Sequence, residues 1–324
     1  MILIEKTDVN SIFAKWVMDL KLINIVMGLG THSSRHPCPY CKSFKKEGRW
    51  VEGELRTLKS IEEDCNEWRE VTGSNRSRLK EHFNAEYHPL IDCDDTPVIL
   101  LIPPPPLHCL LLGPGNLVWD ALEETCTQLY ETFLYFIDID LFEDKLDYNG
   151  EKEFEKENPV QKLQRKLCLV KEPYHGQVYN GRQLNKIFHH LDLLTTDFCV
   201  PKHLECFVTC LENLQLLHEG VSGVKLDPNY DNLIDNFMTS FEVIHKEFGV
   251  SYTNKVHIIE SHLKYYFKTT NKSLGYYSDQ LVEAMHSEAD TMLSKSGYKV
   301  NDFDSEICGE KLLSFIKHFN SYNL

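Results

Sequence analysis

The N-terminal region carries two kinds of apolar pattern. Residues 11–18 combine apolar, β-branched and aromatic side chains, which is typical of a strand. Residues 20–29 are apolar at nearly every position, as in a buried element. We therefore predict a strand that enters a helix within residues 8–29. A later apolar run, residues 98–102, is followed by four prolines, which predict an extended polyproline segment at 103–106.

Helical spacing, with apolar residues three and four positions apart, dominates the rest of the chain. The segments that we predict to be helical are residues 60–90, 116–136, 160–248, 251–267, 278–293 and 309–322. The stretch 137–158 is acidic and interrupted by Gly150, so we predict an exposed linker there. The sequence thus predicts a mainly α fold with a few strands.

Charge and composition exclude several classes of protein. The 324 residues carry a formal net charge of −15, which argues against a simple basic nucleic-acid binder. An apolar content of 42% is that of a globular protein rather than a disordered or fibrous one. The charge is uneven, however, because residues 31–60 hold seven basic and three acidic side chains. A locally basic surface therefore remains compatible with the acidic total.

Targeting signals and disulfides are not expected. Residues 1–6 are too short and too charged for a secretory signal. The longest apolar run, residues 98–112, is broken by prolines and shorter than the roughly 20 residues that a spanning helix needs. We expect a soluble intracellular protein without a membrane partner. Eleven cysteines, an odd number, favour reduced thiols over a disulfide framework, with some of them as metal ligands.

A CxxC motif, Cys38 and Cys41, is the first candidate for chemistry. Two thiolates separated by two residues can hold one tetrahedral ion, so the motif is half of a zinc site. His32 or His36 could supply a third ligand locally. A redox dithiol or a pair of unligated thiols stays open as the alternative.

Two histidines spaced by five, His257 and His262, form the second candidate. On a regular helix such residues point about 140° apart, so one of them would have to lie at a helix end or in a bent turn to share a ligand. Taken alone, the pair is as compatible with polar surface or core-edge positions as with metal binding.

Carboxylates form the third candidate. Asp19 lies where the first strand pattern ends, and Glu283 lies on a predicted helix that Ser278 could cap. His286 and Asp290 share a helical face with Glu283. Isolated carboxylates of this kind are usually solvated, so these residues alone carry little weight as catalytic groups.

Together these features resemble the catalytic core of the Transib-type DNA transposases and of the related catalytic subunit of the V(D)J recombinase. In that family the second catalytic Asp precedes a zinc-binding CxxC by 19 positions, as Asp19 precedes Cys38. Two histidines spaced by five complete the family's zinc site, and a glycine precedes its catalytic Glu by eight positions, as Gly275 precedes Glu283. The chain also matches two internal family motifs, at Pro106–Cys109 with Gly113 and Asn116, and at Tyr179–Lys186.

The resemblance implies an incomplete RNase H-like core interrupted by a large helical, zinc-bearing insertion. The implied domains are a core remnant with Asp19 (1–30), the insertion with its acidic loop at about 137–158 (31–267), and C-terminal core helices with Glu283 (268–324). It implies a structural Zn²⁺ held by Cys38, Cys41, His257 and His262, and Mg²⁺ or Mn²⁺ held by Asp19 and Glu283. Double-stranded DNA is the implied partner, with nuclear localisation and a homodimer as further expectations.

Two departures from the family bear on activity. Its first catalytic Asp lies well upstream of the second, whereas only 18 residues precede Asp19 here. The segment before Glu283 also differs from the family's Ser-Glu-Gly-Asn-Glu pattern. We therefore expect a transposon-derived, recombinase-like protein that is truncated or domesticated and inactive as a nuclease by itself. The alternative is a non-catalytic, zinc-stabilised helical scaffold for protein contacts, which the charge of −15 favours.

Overall fold

A computed structural model describes residues 2–8, 11–16, 18–31, 33–70, 83–91, 94–143, 157–172 and 178–277. Its strands are β1 (Ile2–Asp8), β2 (Ser11–Trp16), β3 (Phe44–Lys46) and β4 (Arg49–Val51). Its α-helices are α1 (Leu20–Val26), α2 (Leu58–Glu70), α3 (Val98–Leu101), α4 (Asn116–Glu143), α5 (Pro159–Lys166), α6 (Gly181–Phe188), α7 (Asp192–Thr196), α8 (Glu205–Ser222), α9 (Tyr230–Phe248) and α10 (Asn254–Thr270). The prediction of a mainly α fold is confirmed.

The strands of the described ranges form two separate antiparallel hairpins, β1–β2 and β3–β4. The first leads into α1, which confirms the strand and helix predicted within residues 8–29. Strand β1 and the second hairpin were not predicted; the strands of the second hairpin have three residues each, and half of these residues are charged. Its turn, Glu47–Gly48, has positive φ at both positions, as a two-residue hairpin turn requires. An RNase H-like sheet is not among the elements of these ranges.

A nine-residue π-helix, Leu107–Gly115, lies at the centre of the fold and continues directly into α4. Helices α4, α6, α8 and α10 pack around it. The predicted extended segment is wrong at its last residue, because Pro106 has helical φ and ψ angles of −65° and −36°. A proline is tolerated at the start of a helix, where its missing N–H would have no intrahelical partner.

Helix boundaries also differ from prediction around the acidic stretch. Helix α4 continues to Glu143, so the first seven residues of the expected linker at 137–158 are helical. Asn158 then caps α5 in a reciprocal capping box with Gln161. The residues between, 144–156, lie outside the described ranges, as do the predicted helices at 278–293 and 309–322.

Two segments that the resemblance singled out are joined by one buried side chain. The Asn116 amide donates to the carbonyls of Leu112 and Tyr179, and its oxygen accepts the Tyr179 N–H at 2.8 Å. Asn116 thereby ties the junction of the π-helix and α4 to Tyr179, two positions before α6 begins. This contact is internal to the fold and needs no ligand.

Replacing Asn116 by Ala is expected to lower the free energy of unfolding by about 2–4 kcal/mol, because the buried N–H and carbonyl of Tyr179 lose their partner. Urea denaturation followed by circular dichroism measures the effect. Asn213→Ala is the control, since the Asn213 amide bridges α8 and α9 where solvent can replace it. Equal losses for the two variants would contradict this account.

No helix of the described segments is long and apolar enough to cross a membrane.

A candidate metal centre

Cys38, Cys41, His257 and His262 meet in the interior of the protein. Their ligand atoms all lie within 4.8 Å of one another, and all four residues are buried. Cys38 Sγ is 3.4 Å from His262 Nε2, and Cys41 Sγ is 3.2 Å from His257 Nε2. These pairs are separated by 224 and 216 positions in the sequence. The four residues therefore form a candidate metal site, as the resemblance implied.

The donor set fits a tetrahedral ion of the zinc type. Bond lengths to sulfur and nitrogen of about 2.3 and 2.05 Å place an S and an N ligand roughly 3.6 Å apart on such an ion. The observed separations of 3.4 and 3.2 Å differ from that value by a few tenths of an ångström. Four protein ligands leave no position for water, which is the pattern of a structural site rather than a catalytic one.

The cysteine loop is held by short-range pairing on its C-terminal side. Cys41 forms a bridge with Leu55, and the Lys42 N–H donates to the Glu54 carbonyl. The Arg56 N–H donates to the Tyr40 carbonyl at 2.8 Å. These contacts fold residues 40–56 back on themselves and hold the backbone at Cys41.

Helix α10 supplies the two histidines. Thr253 caps the helix, and His257 follows four residues later in its first turn. His257 thus lies near a helix end, the condition under which the sequence allowed the pair to share an ion. The two rings are nearly perpendicular, at 83° with their centroids 5.0 Å apart. This difference in ring orientation lets side chains that leave the helix in different directions converge on one point.

Further contacts orient His257. The Trp50 ring stacks on it at 4.3 Å, and the Trp50 indole N–H donates to the Tyr252 carbonyl just before α10. Ser261 Oγ lies 3.2 Å from His257 Nδ1. When Nδ1 donates its proton to this hydroxyl, Nε2 carries the lone pair that binds a metal.

The two thiols differ strongly in acidity. Burial raises the pKa of the Cys38 thiol well above its usual value. The hydrogen bond from Cys38, supported by those of His257 and His262, holds the pKa of Cys41 far below its usual value. One thiolate and one thiol are thus favoured before a cation arrives, and a bound cation would favour loss of the second proton.

His36 does not join the cluster, although the sequence left it open as a ligand. Its Nδ1 lies 2.8 Å from the Lys42 carbonyl, and its ring packs against Phe44 and Phe83. His32, the other local candidate, lies outside the described residues. Within the described chain, the partners of the CxxC motif are the distant histidines.

Of the two carboxylates of the predicted magnesium site, the structure describes only Asp19. The Asp19 carboxylate caps α1 by accepting the Leu22 N–H at 2.7 Å. Glu283 lies outside the described ranges. Gly275, eight positions before it, lies where a Cβ atom would come 2.0 Å from the Ser222 carbonyl oxygen, which explains a glycine at this place.

The basic stretch at 31–60 is less exposed than its composition suggested. Arg56 is completely buried. Lys42 pairs with Asp64 at 2.7 Å, and Lys59 lies 3.5 Å from Asp95. Two of the seven cations, Arg56 and Lys42, are thus held within the protein, whereas Lys59 keeps an exposed side chain. Sequence reasoning missed this use, because nothing in the spacing separates an internal cation from a surface one.

Comparison with models of known protein families and with curated protein sequences finds no match to this chain.

Proposed function

We propose that this chain is a transposon-derived, recombinase-like protein whose structural zinc ion ties the segment after Asp19 to α10. The observation that carries the proposal is the meeting of Cys38 and Cys41 with His257 and His262. The resemblance assigned these same four residues to zinc from order and spacing. Their proximity across more than 200 positions supports the resemblance as well as the metal.

The zinc ion would be held by two sulfurs and two imidazole nitrogens and would supply rigidity rather than chemistry. In the ancestral reaction, DNA strand cleavage and transfer, Asp19 and Glu283 would help to hold two Mg²⁺ ions about 4 Å apart. Such ions activate the attacking oxygen and stabilise the leaving one. The resemblance assigns only two carboxylates to this chain, so we expect weak Mg²⁺ binding and impaired cleavage. Nuclear localisation, a duplex DNA partner and a homodimer belong to the same proposal.

The second candidate function is a non-catalytic, zinc-stabilised scaffold for protein contacts. The observation that favours it is the internal use of Lys42 and Arg56. With these cations engaged, residues 31–60 offer fewer positive charges to a phosphate backbone, while the whole chain carries −15.

Purified protein is expected to contain one zinc ion per chain and to nick supercoiled DNA at most weakly with Mg²⁺ or Mn²⁺. Metal analysis and a nicking assay measure both quantities. Robust cleavage that is abolished by Glu283→Gln would contradict the expected impairment of cleavage. The control is Glu205→Gln, which removes an exposed carboxylate of α8 and should leave that cleavage unchanged. Absence of duplex binding at low salt would favour the scaffold, because phosphate contacts are strongest there.

A further inference from the structure

We infer that Arg56 is the positioning residue of the metal centre, holding both cysteine ligands in place through their own backbone carbonyls. This inference rests on the proposed binding of a metal by the cluster. Arg56 is not itself a ligand. It acts on Cys38 and Cys41 through the backbone of the loop that carries them.

Within the described residues, the hydrogen bonds that the Arg56 guanidinium donates all go to carbonyl oxygens. Its Nε donates to the Cys38 carbonyl at 3.1 Å and to the Cys41 carbonyl at 3.0 Å. Its Nη2 donates to the carbonyls of Phe83, at 2.5 Å, and His36, at 3.4 Å. One side chain thus bonds the first and last residues of the CxxC motif together with the residue two positions before it.

The loop needs such a donor because of its own sequence. Residues 36–41 read His-Pro-Cys-Pro-Tyr-Cys, and the two prolines have no N–H to offer. Buried carbonyls without partners are costly. A planar guanidinium with five N–H groups can serve several carbonyls at once, whereas a lysine ammonium lacks this fixed fork.

Arg56 also links the loop to the core. Its own carbonyl accepts the Val98 N–H at the start of α3, and its side chain has no exposed surface. Across the described residues, no carboxylate forms a hydrogen bond or ion pair with the guanidinium. Its positive charge lies beside the metal-binding sulfurs, and the Asp64 carboxylate interacts with it through space without a hydrogen bond. In this position Arg56 both stabilises the deprotonated sulfurs and fixes the distance between them.

The test is metal affinity, measured by Co²⁺ titration and by competition between Zn²⁺ and a chromophoric chelator. Arg56→Met is expected to weaken Zn²⁺ binding roughly 10- to 100-fold, the range for loss of a group that orients ligands. Arg56→Lys should fold, since it keeps the charge, and should still lose part of the affinity because the fork is gone. The thiolate-to-Co²⁺ absorption bands should shift in both variants.

Two controls separate positioning from a general loss of stability. Asn116→Ala destabilises the fold away from the cluster and should leave the Co²⁺ bands in place. In a Cys38→Ser background, Arg56→Met should lower the unfolding midpoint less than in the metal-bound protein. Two results would overturn the role of Arg56 and leave the zinc site standing. One is unchanged Zn²⁺ affinity and unchanged Co²⁺ bands in Arg56→Met; the other is an equal loss of unfolding midpoint in both backgrounds. Wild-type protein that binds neither metal would overturn the zinc site as well.

Discussion

Cys38→Ser is expected to abolish stoichiometric zinc and to lower the free energy of unfolding by about 4 kcal/mol. The physical reason is linkage: an ion that binds only the folded chain stabilises it by about 4 kcal/mol when its free concentration is a thousand times Kd. Serine is a poor ligand for zinc, and the remaining residues are buried without a fourth partner. Metal analysis and guanidinium denaturation, each with and without a chelator, measure the two effects.

Cys126→Ser is the matched control for this prediction. Cys126 is another completely buried cysteine, and burial raises the pKa of its thiol to about 11, so it behaves as an apolar side chain. Its replacement should alter stability without altering zinc content, and a chelator should then destabilise the variant as much as the wild type. Full zinc content in Cys38→Ser would contradict the proposed ligand set.

Gly28→Ala is expected to lower the free energy of unfolding by at least about 3 kcal/mol, because two penalties add. Gly28 has a φ of +70°, and a Cβ atom would lie 2.1 Å from the Tyr87 carbonyl oxygen. Gly28 also accepts the N–H groups of Glu86 and Tyr87 just after α1. The substitution should therefore displace the segment that follows α1, the helix that Asp19 caps.

Gly249→Ala isolates the conformational part of that effect. Gly249 ends α9 with the same φ of +70°, but nothing lies within 4 Å of a Cβ atom there. Its replacement should cost only about 1–2 kcal/mol, the strain of a left-handed residue. Thermal or chemical denaturation of both variants gives the steric part by difference, and equal losses would show that the contact with Tyr87 can relax.

The helices and the metal cluster could be predicted from the sequence for different reasons. Long helices such as α8 and α9 can be predicted from repeated apolar spacing, which is a local property of the sequence. The prediction of the metal cluster depended on the resemblance, since the spacing of His257 and His262 on an ideal helix argues against a shared site. The two rings nevertheless meet, nearly perpendicular to each other, with His257 stacked on Trp50.

Other features depend on contacts that no local pattern contains. The helical state of Pro106 follows from its place at the start of the central π-helix. Arg56 looked like one more cation of a basic loop, yet its hydrogen bonds are with four carbonyls contributed by residues 36–83. In both cases the surroundings, rather than the residue type, decide the outcome, and they become known only when distant segments meet.

The distance along the chain between the two halves of the ligand set has a consequence for synthesis. The ribosome makes Cys38 and Cys41 early, but the site cannot be completed until His262, 224 positions after Cys38, has emerged and α10 has folded against the loop. Closing so long a loop carries an entropic cost that the packed helices must already have met. A stably chelated ion would therefore mark a chain whose helical body is finished, and a nascent or misfolded chain would hold the metal only loosely.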